Sequence, residues 1–566
     1  MDNNKRNLIL KKFELLWILL GLIIIGLLFL FPIISKISTH IFADDIFKEK
    51  GFSDAYMFLW SFWWGDYSLK NHLPLFMTQY IYPPFGQNLF FHALLPFQSF
   101  LMFPVTRLLG IVTSFNILII FMMTMACFVY YLFLRKNFDF KPLVCFIVAV
   151  LFGFHPYFIT KMQGHLNMIN AAIWGAALAV LITSYLKNKF KWHHGVMFAL
   201  FFWLTLYTSF VEFFILLIST FIIIVSFEIY SLIKEKKVVL LKDKIIYYLP
   251  LIIGSLSFFY LMSFAPKGDI ANYGLYKGFY LRDFFNFPRY NILGSLTHWI
   301  KWDSEYWGIY YTYTAMILCF SGIYFWWKSK KFNNSIILII LTIIMFFIVW
   351  DKRDIASTII RSLPFSGGFR VFARFFSVLI FLSLPFVAFS LNKIVTSKNR
   401  YVSFIVTGLV IISLIIEIFP FNLQPRPIKN FVLSNEDYSR IDPSKYVLIM
   451  AEKKFMTLHD TYQATSGLKM VYYDDLSREN ALDKERRENF APMIYHFDDP
   501  LKNTLEYSKE LSNLNVGYIL FENKKDPRRN IFNGKIVVEK EAGILLELTD
   551  YQIHSNTIIT KNGREG

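Results

Sequence analysis

Carboxylates and aromatic rings are concentrated in an early stretch of the chain, in a mixture that suits work on a sugar. An aromatic ring can stack on a sugar face while a carboxylate beside it accepts the proton of a hydroxyl group. The alternative is that the tryptophans anchor the chain at a membrane surface, where such rings are common. The stretch holds Asp44, Asp45, Asp54, Trp60, Trp63, Trp64, Asp66, Tyr82 and Asn88.

Asp54 is the first candidate for a general base in this stretch. The residues that follow it, Ala55 to Trp64, are mostly apolar or aromatic. A carboxylate at the edge of a buried surface loses hydration, and this makes it a better proton acceptor. The alternative role is to cap the helix that follows, which aspartate does well, and one residue can do both. Asp44 and Asp45 are the reserve candidates.

Two histidines and a glutamate lie near the ends of apolar runs further along the chain. His155 occurs in Phe-His-Pro-Tyr, His165 in Gly-His-Leu-Asn, and Glu212 at a short turn between two apolar runs. The histidine spacing matches no recognised metal motif, which favours contacts to a phosphate or a hydroxyl. A divalent metal, Mg²⁺ or Mn²⁺, is the open alternative, and a hydrated turn residue is the alternative for Glu212.

Positive charge also collects in two later segments that the topology below places outside the membrane. One of them contains Arg353, Arg370 and Arg374, and the segment before it contributes the acidic Glu305 among basic residues. Arg370 and Arg374 are four residues apart, so a helix would present both guanidinium groups on one face, towards a phosphate. Ordinary snorkelling towards lipid headgroups is the alternative.

The composition indicates a membrane protein. Of 566 residues, 55% are hydrophobic and only 17% are charged, which does not suit an ordinary soluble protein. The net charge of +17 comes mostly from short Lys and Arg clusters between apolar runs, which is typical of membrane loops and not of a nucleic-acid patch. Cys127, Cys145 and Cys319 lie inside apolar runs without metal or disulfide spacing, so we expect them to be packing residues.

Placing every basic cluster on the cytoplasmic side gives a consistent topology of about eleven spans, with a cytoplasmic N-terminus and the C-terminus outside. The segment 93–112 is also apolar, but Pro96 and Pro104 interrupt it. We therefore predict a re-entrant or interfacial segment there, with twelve spans as the alternative. The predicted spans are 13–34, 113–134, 142–160, 166–186, 195–210, 211–230, 245–264, 311–328, 335–350, 371–391 and 401–420.

The predicted fold class is an α-helical polytopic membrane protein with a small extracytoplasmic α/β domain at its C-terminus. Residues 1–422 form the transmembrane domain, and hydropathy falls from residue 423, at a linker that contains Pro425 and Pro427. Short apolar runs then predict strands in the second domain, 423–566. The outer loops of the first domain are 35–112, 265–310 and 351–370, and the predicted strands are Tyr446–Met450, Val516–Phe521 and Ile536–Val538.

The order of these features resembles the GT-C superfamily of integral-membrane glycosyltransferases, in particular bacterial members that take sugars from polyprenyl-phosphate carriers. The matching stretches are Ser53-Asp54-Ala55 to Trp60-x-x-Trp63-Trp64, Tyr82-Pro83-Pro84-x-Gly86-x-Asn88, Gly164-His165-Leu166-Asn167, Arg370-Val-Phe-Ala-Arg374 and, in the tail, Leu514 to Leu520. One departure is that no second acidic motif of the Asp-x-Asp type occurs in the second outer loop, which bears on metal dependence.

The resemblance implies an inverting transfer outside the membrane. An aspartate of the first outer loop, by position Asp54, acts as general base on the acceptor hydroxyl while the carrier phosphate leaves. Basic side chains of later loops hold that phosphate, here Arg370, Arg374, His165 and Arg353. The expected sugar and acceptor pocket comprises Trp60, Trp63, Trp64, Tyr82, Asn88, Glu212 and Glu305.

These features together favour a multi-pass plasma-membrane glycosyltransferase. Its partners would be the bilayer, a polyprenyl-phosphate-linked sugar and a glycan, lipid or protein acceptor of the cell envelope, with no nucleic acid. One alternative is a transporter or flippase of a lipid-linked envelope precursor, which favours ionisable residues at mid-span and repeated halves; the sequence shows neither clearly. The other alternative is a non-catalytic envelope assembly protein.

Overall fold

The structure is a computed structural model that divides into two compact units. One unit comprises Met1–Phe42, Phe115–Phe264 and Ala271–Pro425, and the other comprises Ala43–Ser114, Ala265–Ile270 and Arg426–Gly566. The structure describes residues 3–43, 54–78, 87–89, 94–235, 244–263, 309–329, 336–350, 372–421, 423–428, 435–442, 444–450, 470–471, 516–521, 532–540 and 543–553, with the single positions 80, 284, 355, 358, 359 and 512.

Helices make up most of the described chain, and a helix occupies each of the predicted spans. Prolines stand at or near the first position of several helices, where the missing backbone N–H costs nothing. Basic residues occur in the last turn of others, where their charge interacts favourably with the negative end of the helix dipole. The helices are α1 (Asn3–Phe29), α2 (Phe31–Ile34), α3 (Asp54–Lys70), α4 (Pro96–Leu109), α5 (Ile111–Asn137), α6 (Pro142–Gly153), α7 (Pro156–Lys161), α8 (Ala171–Leu186), α9 (Trp192–Thr208), α10 (Phe210–Glu235), α11 (Ile245–Ser263), α12 (Tyr313–Ser329), α13 (Ile336–Trp350), α14 (Phe376–Val395), α15 (Arg400–Ile418) and α16 (Asn435–Ser439).

Six helical segments of the described residues are long and apolar enough to cross a membrane. They are Ile111–Asn137, Pro142–Lys161, Leu166–Leu186, Phe210–Lys234, Phe372–Val395 and Arg400–Ile418, and shorter apolar helical segments occur at Phe13–Phe29, Ile245–Phe258 and Ile336–Trp350. The chain is therefore a mostly helical polytopic membrane protein. The count of eleven spans and the orientation of the termini stay predictions.

Helix α14 lies at the centre of the first unit, because nearly all of its side chains are buried. It packs closely on α12, where Gly322 lies against the backbone carbonyl of Phe386. It also receives a hydrogen bond from α5, since the Tyr130 hydroxyl donates to the carbonyl oxygen of Phe381 at 2.8 Å. Close backbone approach at a glycine is a common way for membrane helices to pack.

The second unit contains a five-stranded sheet in the order β6-β5-β7-β9-β8. Strand β5 is parallel to β6 and β7, whereas β9 is antiparallel to β7 and β8. Three short apolar runs predicted as strands are confirmed, since they form β5, β7 and part of β8. The strands of the chain are β1 (His40–Phe42), β2 (Met77–Thr78), β3 (Gln87–Asn88), β4 (Pro425–Pro427), β5 (Tyr446–Met450), β6 (Met470–Val471), β7 (Val516–Phe521), β8 (Phe532–Lys540) and β9 (Gly543–Ile553).

Helix α3, the segment after it and the C-terminal sheet share one hydrophobic core in this unit, a pairing that the sequence did not reveal. Side chains of α3 and of the segment after it pack with side chains of the sheet. Every residue of β7 is buried, as expected for a central strand covered on both faces. The core includes Trp60, Trp63, Trp64, Tyr80, Leu89 and Leu94 from the loop, and Ile441, Val447, Tyr518, Leu520, Val538 and Leu545 from the C-terminal part.

The segment 93–112 contains helix α4. Its 14 residues span about 21 Å, which is less than the roughly 30 Å of a bilayer core. The helix ends at Leu109 and is followed by Gly110, whose φ of +80° suits glycine and lets the chain turn before α5 begins at Ile111. This length fits the predicted re-entrant or interfacial segment better than a twelfth span.

Candidate functional site

The proposed general base is at the start of a helix. Asp54 is the first residue of α3, and an acidic residue is favoured there by the positive end of the helix dipole. The N-cap position is then Ser53, one residue earlier, and the role of Asp54 as general base stays a prediction. The other candidates of this loop are placed less fully, because Asp44, Asp45 and Tyr82 lie outside the described residues. Asn88 is in β3, paired with Met77 of β2.

The three tryptophans of α3 are part of the core of the second unit. Trp60, Trp63 and Trp64 are 0%, 6% and 1% exposed. The Trp64 indole donates to the carbonyl oxygen of Leu75 at 2.8 Å, and the Trp60 and Trp64 rings stack at 6.1 Å. A sugar cannot stack on rings buried to this extent. The prediction that these rings line a sugar pocket, and the alternative of interface anchoring, are therefore replaced by a packing role that holds α3.

An ion pair lies near the C-terminal end of α3. The Arg107 guanidinium of α4 contacts the Asp66 carboxylate at 3.0 Å, with Asp66 Oδ2 as the acceptor. Asp66 Oδ1 is buried and has no hydrogen-bond partner among the described residues. Burial raises the pKa of Asp66, although the Arg107 charge opposes the shift. Asp54 and Asp66 are twelve residues apart on one helix, roughly 18 Å, so they cannot act on the same atom.

In the first unit, Tyr157 joins two stretches that are more than 200 residues apart in sequence, around His155 and Arg374. Its hydroxyl donates to the backbone carbonyl of Arg374 at 3.4 Å, and its ring lies 5.7 Å from the Lys161 ammonium. Its backbone N–H donates to His155 Nδ1 at 3.3 Å. The rings of Tyr157 and His155 both contact Phe376, at 5.8 and 5.7 Å. We call Tyr157, His155, Lys161, Arg374 and Phe376 the Tyr157 cluster.

The Tyr157 cluster places the backbone of Arg374 beside the loop that contains His155. Arg374 lies in a short 3-10 turn, Phe372–Phe375, before α14, and its side chain is half-buried. His165 lies four residues after Lys161, and its backbone N–H donates to the carbonyl of Lys161 at 2.7 Å. The remaining phosphate candidates, Arg353 and Arg370, lie outside the described residues, as does the pocket candidate Glu305.

Glu212 is buried and tied to the same loop. It is 3% exposed, at the start of α10, and its two carboxylate oxygens accept from the backbone N–H and the side-chain amide of Asn170 at 3.2 and 2.8 Å. The 3-10 turn Leu166–Met168, just before Asn170, contacts both α7 and α10. Glu212 is therefore not a hydrated turn residue in this structure, because its side chain is buried. Its hydrogen bonds to Asn170 fix the loop that carries His165.

Lys161 and Glu417 of the first unit were not singled out from the sequence, and the burial of His155 was not predicted either. Lys161 is 1% exposed, and His155 is fully buried with Nε2 lacking a hydrogen-bond partner among the described residues. Glu417, in the last turn of α15, accepts from the Tyr310 hydroxyl at 3.1 Å and from the Thr314 hydroxyl at 2.7 Å. The available signal was an ionisable residue at the end of a long apolar run, which membrane proteins rarely tolerate without a role.

Metal binding receives no support from the described residues, where no group of three His, Cys, Asp or Glu side chains could hold an ion. Asp44 and Asp45 are outside that part of the chain, so the proposal of Mg²⁺ or Mn²⁺ stays open. The three cysteines are buried and free, as expected of packing residues.

The fold is similar to that of two membrane glycosyltransferases of the GT-C type. One is an oligosaccharyltransferase from Archaeoglobus fulgidus, solved in complex with Zn and sulfate; it is 14% identical over 89% of this chain and 68% of its own, with a TM-score of 0.54. The other is the arabinofuranosyltransferase AftD from Mycobacteria, 12% identical over 95% of this chain with a TM-score of 0.53, and this chain spans 42% of its length. No family model and no curated protein matches the sequence.

Proposed function

We propose that this chain is a membrane glycosyltransferase that moves a monosaccharide from a polyprenyl-phosphate carrier to an acceptor of the cell envelope. The observation that carries the proposal is the similarity to two GT-C enzymes over most of the chain, rather than over one domain. Two features of the site support it. Asp54 stands at the start of a helix in the first outer loop, and the Tyr157 cluster joins Arg374 to the loop that carries His165.

In the proposed reaction, Asp54 accepts the proton of the acceptor hydroxyl as its oxygen attacks the anomeric carbon of the donor sugar. The bond between that carbon and the carrier phosphate breaks, and the phosphate leaves with the electron pair, so the anomeric configuration inverts. Arg374 and His165, with Arg370 and Arg353, would neutralise the departing phosphate. Fixed charges aimed at a leaving group usually contribute more to catalysis than proton transfer does.

The acceptor pocket in this proposal has fewer residues than the sequence predicts. Tyr82, Asn88, Glu212 and Glu305 remain its candidates. The tryptophans of α3 leave the set because they are packed in the core of the second unit. Glu212 would act by holding the loop at Asn170.

The decisive experiment compares wild type and Asp54→Asn in membranes, with labelled sugar on a panel of polyprenyl-phosphate donors. We expect transfer by the wild type and a loss on the order of 10²–10⁴ in the variant, the usual size of a general-base contribution. Asp139→Asn is the matched control, because Asp139 is exposed and lies outside the proposed site. Assays with a chelator, and with Mg²⁺ or Mn²⁺ restored, decide the metal question.

Each result has a clear meaning. Equal folded yield with activity lost only in Asp54→Asn supports both the transferase and its base. Undiminished activity in Asp54→Asn moves the base to Asp44 or Asp45. No transfer by the wild type from any donor contradicts the proposal and favours transport of a lipid-linked precursor or envelope assembly.

A further inference from the structure

Most of the exposed side chains of helix α4 are apolar, and two of its three buried side chains, Gln98 and Ser99, are polar. Phe100 and Leu108 are 67% and 82% exposed, whereas Gln98 and Ser99 are each 1% exposed. The Ser99 hydroxyl donates to the backbone carbonyl of Phe62 in α3 at 3.3 Å. A helix that faces water shows the reverse arrangement, with its apolar side chains towards the core.

The outward side chains form one continuous stripe. At 100° per residue, Phe100, Leu101, Pro104 and Leu108 fall within about a third of the helix circumference. The opposite face packs on α3, where Ser99 lies directly against Gly65. We call Phe100, Leu101, Pro104 and Leu108 the apolar stripe. An exposed apolar surface of this kind marks a contact with a partner or a membrane.

The connection of α4 to α5 indicates that a membrane, and not a protein partner, covers the apolar stripe. Helix α4 ends at Leu109, and α5, which is long and apolar enough to cross a membrane, begins at Ile111 after a single glycine. The end of α4 therefore lies within a few ångströms of the point where a membrane span starts, since consecutive Cα atoms are about 3.8 Å apart. With about 21 Å of length, α4 is too short to span the bilayer itself.

The position of Arg107 also supports a location of α4 at the membrane surface. Its side chain is 35% exposed near the C-terminal end of the stripe, and Asp66 holds one of its nitrogens. An arginine beside exposed leucines suits the boundary between acyl chains and headgroups, where its stem is buried and its charge meets phosphate.

We propose that α4 lies in the membrane surface, with the apolar stripe seated among the acyl chains of the leaflet from which α5 starts. The occupant of this surface is lipid, not a second copy of the chain or another protein. The inference is independent of the proposed glycosyl transfer, because it rests only on the burial pattern of α4 and its connection to α5.

Spin labelling in lipid nanodiscs tests this inference. A nitroxide is attached at Phe100→Cys and, separately, at Leu108→Cys, and its collisions with oxygen and with a water-soluble nickel chelate are measured. Phe404→Cys, on the exposed face of the candidate span α15, is the lipid reference, and Lys535→Cys, exposed on β8, is the water reference. The wild type is the labelling blank, because its three cysteines are buried.

The expected result is frequent oxygen collisions and rare nickel collisions at both positions, with the ratio seen at Phe404→Cys. A nickel accessibility like that of Lys535→Cys would overturn the inference, because it would place the stripe in water. Low accessibility to both reagents would also overturn it, because the stripe would then be covered by protein. Two labelled positions keep the test decisive if one variant fails to fold.

Discussion

At the scale of single residues, the Asp66–Arg107 pair shows how burial and charge oppose each other. Burial raises the pKa of Asp66, so the folded state favours its protonated form, and the folded state loses stability as the pH rises through that raised pKa. The Arg107 guanidinium at 3.0 Å limits this loss. The pH dependence of stability therefore depends on the pair.

We predict that Arg107→Ala destabilises the protein more at pH 7 than at pH 4. Without the guanidinium the pKa of Asp66 rises further, and its ionised carboxylate is left without a partner, at a cost of about 1–3 kcal/mol. Thermal unfolding in detergent across this pH range measures the effect. In an Asp66→Asn background, the cost of Arg107→Ala should no longer depend on pH. Equal destabilisation at both pH values would contradict the prediction.

Residue types and spacing were a good guide to where polar chemistry concentrates, and a poor guide to what covers each side chain. The sequence placed Arg374, His165 and Glu212 near one face, and the structure connects their loops through Tyr157 and Asn170. It could not show that the tryptophans of α3 are buried, because the strands that bury them are hundreds of residues away. Lys161 was not singled out, because nothing in the sequence around it indicates that its side chain is buried.

At the scale of elements, the helices were predictable because an apolar run of spanning length has few alternatives in a bilayer. The strand Tyr446–Met450 was predicted to the residue, since a short apolar run between turn signals is typical of a buried strand. The packing of helices on one another was not predictable. It depends on small local features such as a glycine at a contact.

We predict that Gly322→Ala destabilises the first unit by about 1–3 kcal/mol, the usual cost of overpacking a tight contact. A Cβ at this position meets the backbone carbonyl of Phe386 on α14, which cannot move aside as a side chain can. Gly408→Ala is the matched control, because a Cβ there has nothing within 4 Å. That control should be neutral or gain up to about 1 kcal/mol from helix propensity. Equal melting temperatures for both variants would argue against close packing of α12 on α14.

At the scale of the whole molecule, the division into units does not follow the chain. The sequence predicts a second domain from residue 423, and one boundary between the two units falls at Pro425. What it could not show is that Ala43–Ser114 joins the C-terminal part in one compact unit. Such a core is made by contacts at very long sequence separation, which leave no local pattern.

We predict that Leu520→Asp increases protease cleavage within residues 43–114, although the substitution is far away in sequence. Leu520 is fully buried in the core that contains Trp60 and Trp64, so a carboxylate there should loosen the loop as well as the sheet. Limited proteolysis with mass mapping of the fragments measures this. Ile536→Asp, at a 38% exposed position of the same sheet, is the matched control. Unchanged cleavage of the loop in Leu520→Asp would contradict the shared core.

The shared core of the second unit also sets an order of events during synthesis. The tryptophan-rich loop leaves the ribosome about 400 residues before strand β7, which at usual translation speeds is on the order of 20–80 s. Throughout that interval its aromatic side chains pack only on one another, and the strands that complete their native core are missing. The nascent chain must therefore protect this loop, through the translocation machinery, a chaperone or temporary contact with the bilayer, until the last quarter of the protein has been made.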